Sequence, residues 1–188
     1  IWGILNECAS DTAYGRECYK TQLELIKSLD VTRPRSFSSC RFKTDICFDL
    51  VDVVSYNIYP KWYHNTPVAM YLDDLYKWVQ TTGGAGKPFL ITEVGAGAIY
   101  GYRTPAKVKW SEEYQVLALE EQLGAILSYK DCSGVYIWQF CDVRVTNDWW
   151  NTRPRTMNNK GIVDEYRRPK LSYETVKRIF GSVDTYRK

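Results

Sequence analysis

Five strand-like runs punctuate this chain, and most are followed by a stretch long enough for a helix. Ile1–Asn6, Arg35–Ser39, Val51–Tyr59, Pro88–Glu93 and Gly134–Phe140 read as strands, the second weaker than the rest. Between them, Arg16–Leu29 sets Cys18, Leu23, Leu25, Ile26 and Leu29 at near-helical spacing and stops before Val31-Thr32-Arg33-Pro34. Pro67–Thr81 is helical up to the breaker Gly83-Gly84-Ala85-Gly86; Glu112–Tyr129 forms a long helix and Ser172–Phe180 a last one. The apolar runs mostly lack polar alternation, which is the pattern of a parallel sheet buried on both faces. Strand–helix repetition of this kind predicts an α/β fold with right-handed crossovers.

At 188 residues, 45% hydrophobic and 25% charged, the chain can bury a core. No apolar run reaches the roughly 18 residues of a membrane span. The 25 basic and 22 acidic residues are interspersed, so neither a nucleic-acid stripe nor a membrane patch is expected. Aromatics reach 15%, a heavy load that suits a pocketed protein. The six cysteines form no C-x-x-C pair and His64 is the sole histidine, so no zinc site is expected and the thiols read as reduced. The chain opens inside an apolar run without Met, so targeting signals are not readable; a bacterial cytoplasmic setting is the expectation. Arg144–Asn159, rich in Trp, Arg and Asn, is the longest irregular stretch. Loops after strands in α/β folds commonly hold the site.

Two acids close two apolar strands: Glu7 follows Ile4-Leu5-Asn6, and Glu93 follows Leu90-Ile91-Thr92. An acid so placed projects into the mouth of a sheet or barrel. Glycosidic bond cleavage needs such a pair, one a proton donor and the other an ionised nucleophile or base. Either acid alone reads better as a helix cap or a surface ion pair.

Leu5-Asn6-Glu7 together with Ile91-Thr92-Glu93-Val94-Gly95 resembles glycoside hydrolase family 2, and within it the β-glucuronidases. The likeness spans nearly the whole chain. It takes in Asp30-Val31-Thr32-Arg33-Pro34, Ser55-Tyr56-Asn57-Ile58-Tyr59, Trp110-Ser111-Glu112-Glu113-Tyr114-Gln115, Ile137-Trp138-Gln139-Phe140 and, most specific, Asn158-Asn159-Lys160-Gly161-Ile162. It implies a (β/α)₈ TIM barrel, here only its C-terminal part, about strands 4 to 8, over residues 1–188. A whole barrel takes about 250 residues, so N-terminal barrel strands and β-sandwich domains are expected to lie outside this chain, which would leave two sheet edges unpaired.

The resemblance also implies roles. Glu93 would be the nucleophile of a retaining β-glucuronidase and Glu7 the acid/base, with carboxyls about 5 Å apart. Asn6 would meet the sugar's 2-hydroxyl, Asn57, Tyr59 and Tyr63 would line the site, and Trp138 would stack on the sugar. Asn158 and Lys160 would hold the C6 carboxylate, a pairing that physical chemistry favours, with Arg153-Pro154-Arg155 adding to the positive field. Read without the family, Tyr63 and Trp138 serve equally as core aromatics. No cofactor or metal is implied; the partner is a glucuronide, and a homo-oligomer is allowed for the full-length protein. β-Galacturonidase or β-galactosidase activity stays open, as does a non-catalytic carbohydrate-binding or scaffold piece. Cys8 stands where many relatives have proline; with no histidine near it in sequence, it makes a poor nucleophile.

Overall fold

The computed structural model describes residues 1–183, so the last five residues of the expected barrel portion lie outside the described residues. A main sheet carries five strands: β1 (Trp2–Asn6), β2 (Arg35–Ser39), β3 (Val54–Asn57), β4 (Phe89–Val94) and β5 (Cys132–Ile137). They lie in the order β1-β2-β3-β4-β5 and run parallel, with no closure between the two ends among the described residues. Helices α1 (Ala13–Leu29), α2 (Val68–Thr81), α3 (Glu112–Ser128) and α4 (Leu171–Gly181) complete the alternation. None is long and apolar enough to cross a membrane.

The chain divides into two compact units. The first comprises Ile1–Ile58, Thr66–Thr92 and Ile126–Tyr136, and so holds most of the sheet. Thr12 caps α1 by accepting the Gly15 N–H at 3.0 Å, which satisfies one of the donors a helix start leaves open. The buried stripe of α1 is Gly15, Tyr19 and Leu23, one residue per turn. Leu25 and Leu29, expected on that stripe, are exposed: at 100° per residue they fall on another face. Tyr19 packs on Phe37 at 4.5 Å between ring centroids, and α2 adds Val68, Leu72, Leu75 and Val79 to the same core.

Burial on both faces holds for the middle of the sheet only. All four residues of β3 are buried, whereas β1 and β5 are largely exposed or half-buried, contrary to the both-face burial expected of the sheet. Their place at the two ends of the strand order is the reason. Strand β3 is shorter than the apolar run that marks it. A 3₁₀ turn at Phe48–Leu50 precedes it, and Asp52, its carboxylate clamped on Arg35 at 2.9 and 3.0 Å, holds the entry out of the ladder. The β1–β2 register slips between Gly3 and Asn6, so β1 spends one extra residue before its carboxyl end. Such a bulge re-aims the side chains that follow it; here they are Asn6 and Glu7.

The second unit comprises Tyr59–Asn65, Glu93–Ala125 and the chain from Ile137 onward. It is built mainly of the segments that follow strands, and irregular backbone leaves carbonyls that no ladder satisfies. Side chains of α3 fill that need. Gln115 donates to the carbonyls of Ala96 (2.8 Å) and Gly161 (3.0 Å), and Gln122 to those of Pro60 (2.7 Å) and Gly95 (3.2 Å). Both glutamines are fully buried, and a cluster of Trp62, Ala96 and Ala118 packs with Tyr59, Trp110 and Tyr114. Within the stretch read as irregular, Val143–Arg144 (β6) pairs antiparallel with Met157–Asn158 (β7). Strands of two residues are too short to show a period in sequence.

Candidate active site

Each strand-end residue singled out above sits at, or within a residue or two of, the carboxyl end of a strand. Asn6 ends β1 and Glu7 follows it; Asn57 ends β3 and Tyr59 comes two residues later; Glu93 is the penultimate residue of β4; Trp138 follows β5. In parallel α/β sheets, strand carboxyl ends are where ligands bind.

In the first unit, Asn57 organises the group. Its Nδ2 donates to Asn6 Oδ1 at 2.9 Å and to Glu7 Oε1 at 3.0 Å, while its Oδ1 accepts from Thr92 Oγ1 at 2.7 Å. Asn57 is only 4% exposed, and Glu7 and Asn6 are open to solvent. The amide expected to touch substrate is thus engaged at both ends by protein groups and holds the Glu7 carboxylate. The Glu7 N–H donates to the Ser38 carbonyl at 2.9 Å, and its φ is 53°, a left-handed value that disfavours side-chain-bearing residues. The Cys8 thiol donates to the Asn6 carbonyl at 3.3 Å, and all six cysteines are free thiols.

In the second unit, Tyr59 OH donates to Glu93 Oε2 at 2.5 Å. The Tyr59 and Tyr63 rings meet edge to face, 5.2 Å apart. Lys160 is 3% exposed. Its Nζ donates to Tyr63 OH at 2.9 Å and lies 5.1–5.7 Å from the ring centres of Tyr59, Trp62 and Tyr63. Among the described residues it forms no ion pair, so aromatic faces and a phenol are its compensation. Arg153 adds a second cation at Tyr63 OH, 3.4 Å away. Burial holds the Lys160 ammonium below the ordinary lysine range. For the Tyr63 phenol, burial pushes upward but Lys160 and Arg153 outweigh it, and its pKa falls.

Asn158 Oδ1 accepts the Lys160 backbone N–H at 3.3 Å, so the amide's N–H donors are its remaining capacity. Trp138 is 38% exposed, and its backbone N–H donates to the Val94 carbonyl at 2.9 Å. A Cβ at Gly95 would lie 2.3 Å from the Trp138 carbonyl, so only glycine permits that approach. Sequence reasoning passed over Thr92, which steadies Asn57, and Trp62, the third ring around Lys160. The Tyr59-Pro60-Lys61-Trp62-Tyr63 cluster was the signal for Trp62.

Carboxylates at the ends of parallel strands and, in the second unit, a buried cation among aromatics over the tyrosine that bonds Glu93 are a barrel-type hydrolase layout. Residues 1–185 match the family described as glycosyl hydrolases family 2, TIM barrel domain. The chain belongs to glycosyl hydrolase family 2, and its five-stranded parallel sheet is part of that barrel. It is 33% identical to rat (Rattus norvegicus) β-glucuronidase over 184 residues, covering 92% of this chain and 27% of the relative. A solved family 2 β-galacturonidase from Eisenbergiella tayi, bound to galacturonate, is 74% identical with a TM-score of 0.95, covering 97% of this chain and 33% of that one. The β-D-glucuronidase of Dictyoglomus thermophilum shares 26% identity with a TM-score of 0.87, over 100% of this chain and 32% of its own. The chain therefore spans about a quarter to a third of the proteins it matches.

Proposed function

We propose that this chain supplies the C-terminal part of the catalytic barrel of a retaining β-uronidase whose preferred sugar is β-galacturonide. The observation that carries the uronate reading is Lys160. It is a buried ammonium with no ion pair among the described residues, in the same unit as Glu93 and over the ring of the tyrosine that bonds Glu93. A sugar carboxylate is the partner such a cation lacks.

In the first step Glu93 attacks the anomeric carbon as the C1–O bond breaks, and Glu7 gives its proton to the leaving oxygen. In the second, water attacks C1, Glu7 takes its proton, and the bond to Glu93 breaks with net retention. Tyr59 orients the Glu93 carboxylate through its phenol hydrogen bond. Asn57 orients Glu7, Asn6 meets the 2-hydroxyl, Trp138 stacks on the sugar, and Asn158 and Tyr63 join Lys160 at the carboxylate.

The sugar's C4 configuration separates galacturonide from glucuronide, and both present the same carboxylate. Sequence alone put glucuronide first. The 74% identity to a galacturonidase, against 25–33% to glucuronidases, favours galacturonide.

The test is a panel of nitrophenyl β-galacturonide, glucuronide, galactoside and glucoside on the full-length protein. We expect kcat/KM for the galacturonide to exceed that for the glucuronide by roughly tenfold or more, a difference of one hydroxyl's contacts. The neutral sugars should lie at least about 10²-fold below the preferred uronide. A glucuronide preference would reverse the C4 assignment, and equal rates on galactoside would remove the uronate reading.

A further inference from the structure

Beneath the Lys160 loop, Lys170 and Asp142 form an ion pair 2.8 Å long, with both side chains fully shielded from solvent. Asp142 Oδ1 also accepts the Gly161 N–H at 2.8 Å. Lys170 Nζ also donates to the Asn159 carbonyl at 3.0 Å and to the Ala98 carbonyl at 2.6 Å. The two residues flanking Lys160 in sequence are therefore tied, one by its carbonyl and one by its N–H, to the two halves of a single buried pair. Gly161 fits only because it lacks a side chain: a Cβ there would lie 2.3 Å from the Asp142 nitrogen and 2.5 Å from Oδ1.

We propose that Asp142 and Lys170 are positioning residues for uronate recognition, fixing the backbone on both sides of Lys160 so that its ammonium is held ready for the sugar carboxylate. The proposal rests on the uronate reading above. Neither residue needs to touch substrate. Buried ion pairs are often no more stabilising than apolar side chains of the same size, so stability alone gives little reason for this one. Two of its bonds go to the backbone on either side of Lys160. Burial pushes the Asp142 carboxyl up to about 6 and the Lys170 ammonium down, because charge is costly away from water.

The experiment uses the full-length protein with Asp142→Asn, whose Oδ1 can still accept from Gly161 while Lys170 loses its counter-charge. The double variant Asp142→Asn/Lys170→Met removes both buried charges at similar volume and serves where the single variant does not fold. We expect KM for nitrophenyl β-galacturonide to rise roughly 10–100-fold, the scale of a misplaced binding group. Turnover at saturation should change little, and kcat/KM for nitrophenyl β-galactoside should hold. Amide hydrogen exchange across residues 157–163 should quicken. Proportional losses on both sugars, or unchanged exchange in a folded variant, would overturn the proposal. Lys160→Ala runs in parallel. If the native protein shows no uronide preference for that substitution to remove, the uronate reading fails, and the exchange measurement still decides whether the pair holds the loop.

Discussion

Glu93→Ala is expected to lower hydrolysis of nitrophenyl β-uronides by at least about 10⁴-fold, because nothing else among the proposed groups can form the bond to the anomeric carbon. Glu7→Ala costs roughly 10²–10⁴-fold, the usual worth of a general acid, and less on substrates whose leaving group needs no proton. Azide separates the roles. In the Glu93 variant it attacks the substrate directly, and one inversion gives the α-glycosyl azide. In the Glu7 variant it attacks the glycosyl-enzyme, and two inversions give the β-azide. Chromatography of the products reads the assignment. Persistent activity in Glu93→Ala would sink the mechanism, and exchanged azide anomers would exchange the two acids.

Lys160→Ala should lower kcat/KM for the uronide by roughly 10²–10³-fold, the cost of truncating one partner of a desolvated charged pair, and leave the neutral glycoside nearly untouched. The pH profile carries the same signature. Burial lowers the Lys160 pKa, so its charged form is complete at low pH and is lost as pH rises through that lowered value. The uronide kcat/KM should therefore fall on the alkaline side before the ordinary lysine range near about 10.4. Bound uronate keeps the proton on, so kcat should lack that limb, since kcat/KM reports the free enzyme. Steady-state profiles of both sugars, native against Lys160→Ala, decide it; an equal loss on both sugars would refute the clamp.

Strand β2 was legible to the residue, as was the order of strands and helices, because runs and breakers act locally. The strand-end placement of the two acids was legible, and Lys160 stands out through a short local motif. Partnership was not. Nothing near Asn57 in sequence says that its amide reaches Glu7, 50 residues away, and Asp142 and Lys170 are 28 residues apart. Leu25 and Leu29 misled for a related reason: they lie near a helical repeat, yet which stripe is buried depends on what the sheet offers.

The left-handed backbone at Glu7 sets two kinds of selection against each other. At a φ of 53° glycine would relax the chain, yet the proton transfer proposed for this position needs the Glu7 side chain. A lineage or a library sorted for heat resistance alone would drift toward glycine at this position and lose its chemistry without any sign of misfolding. Activity has to be scored alongside thermal tolerance for this acid to survive.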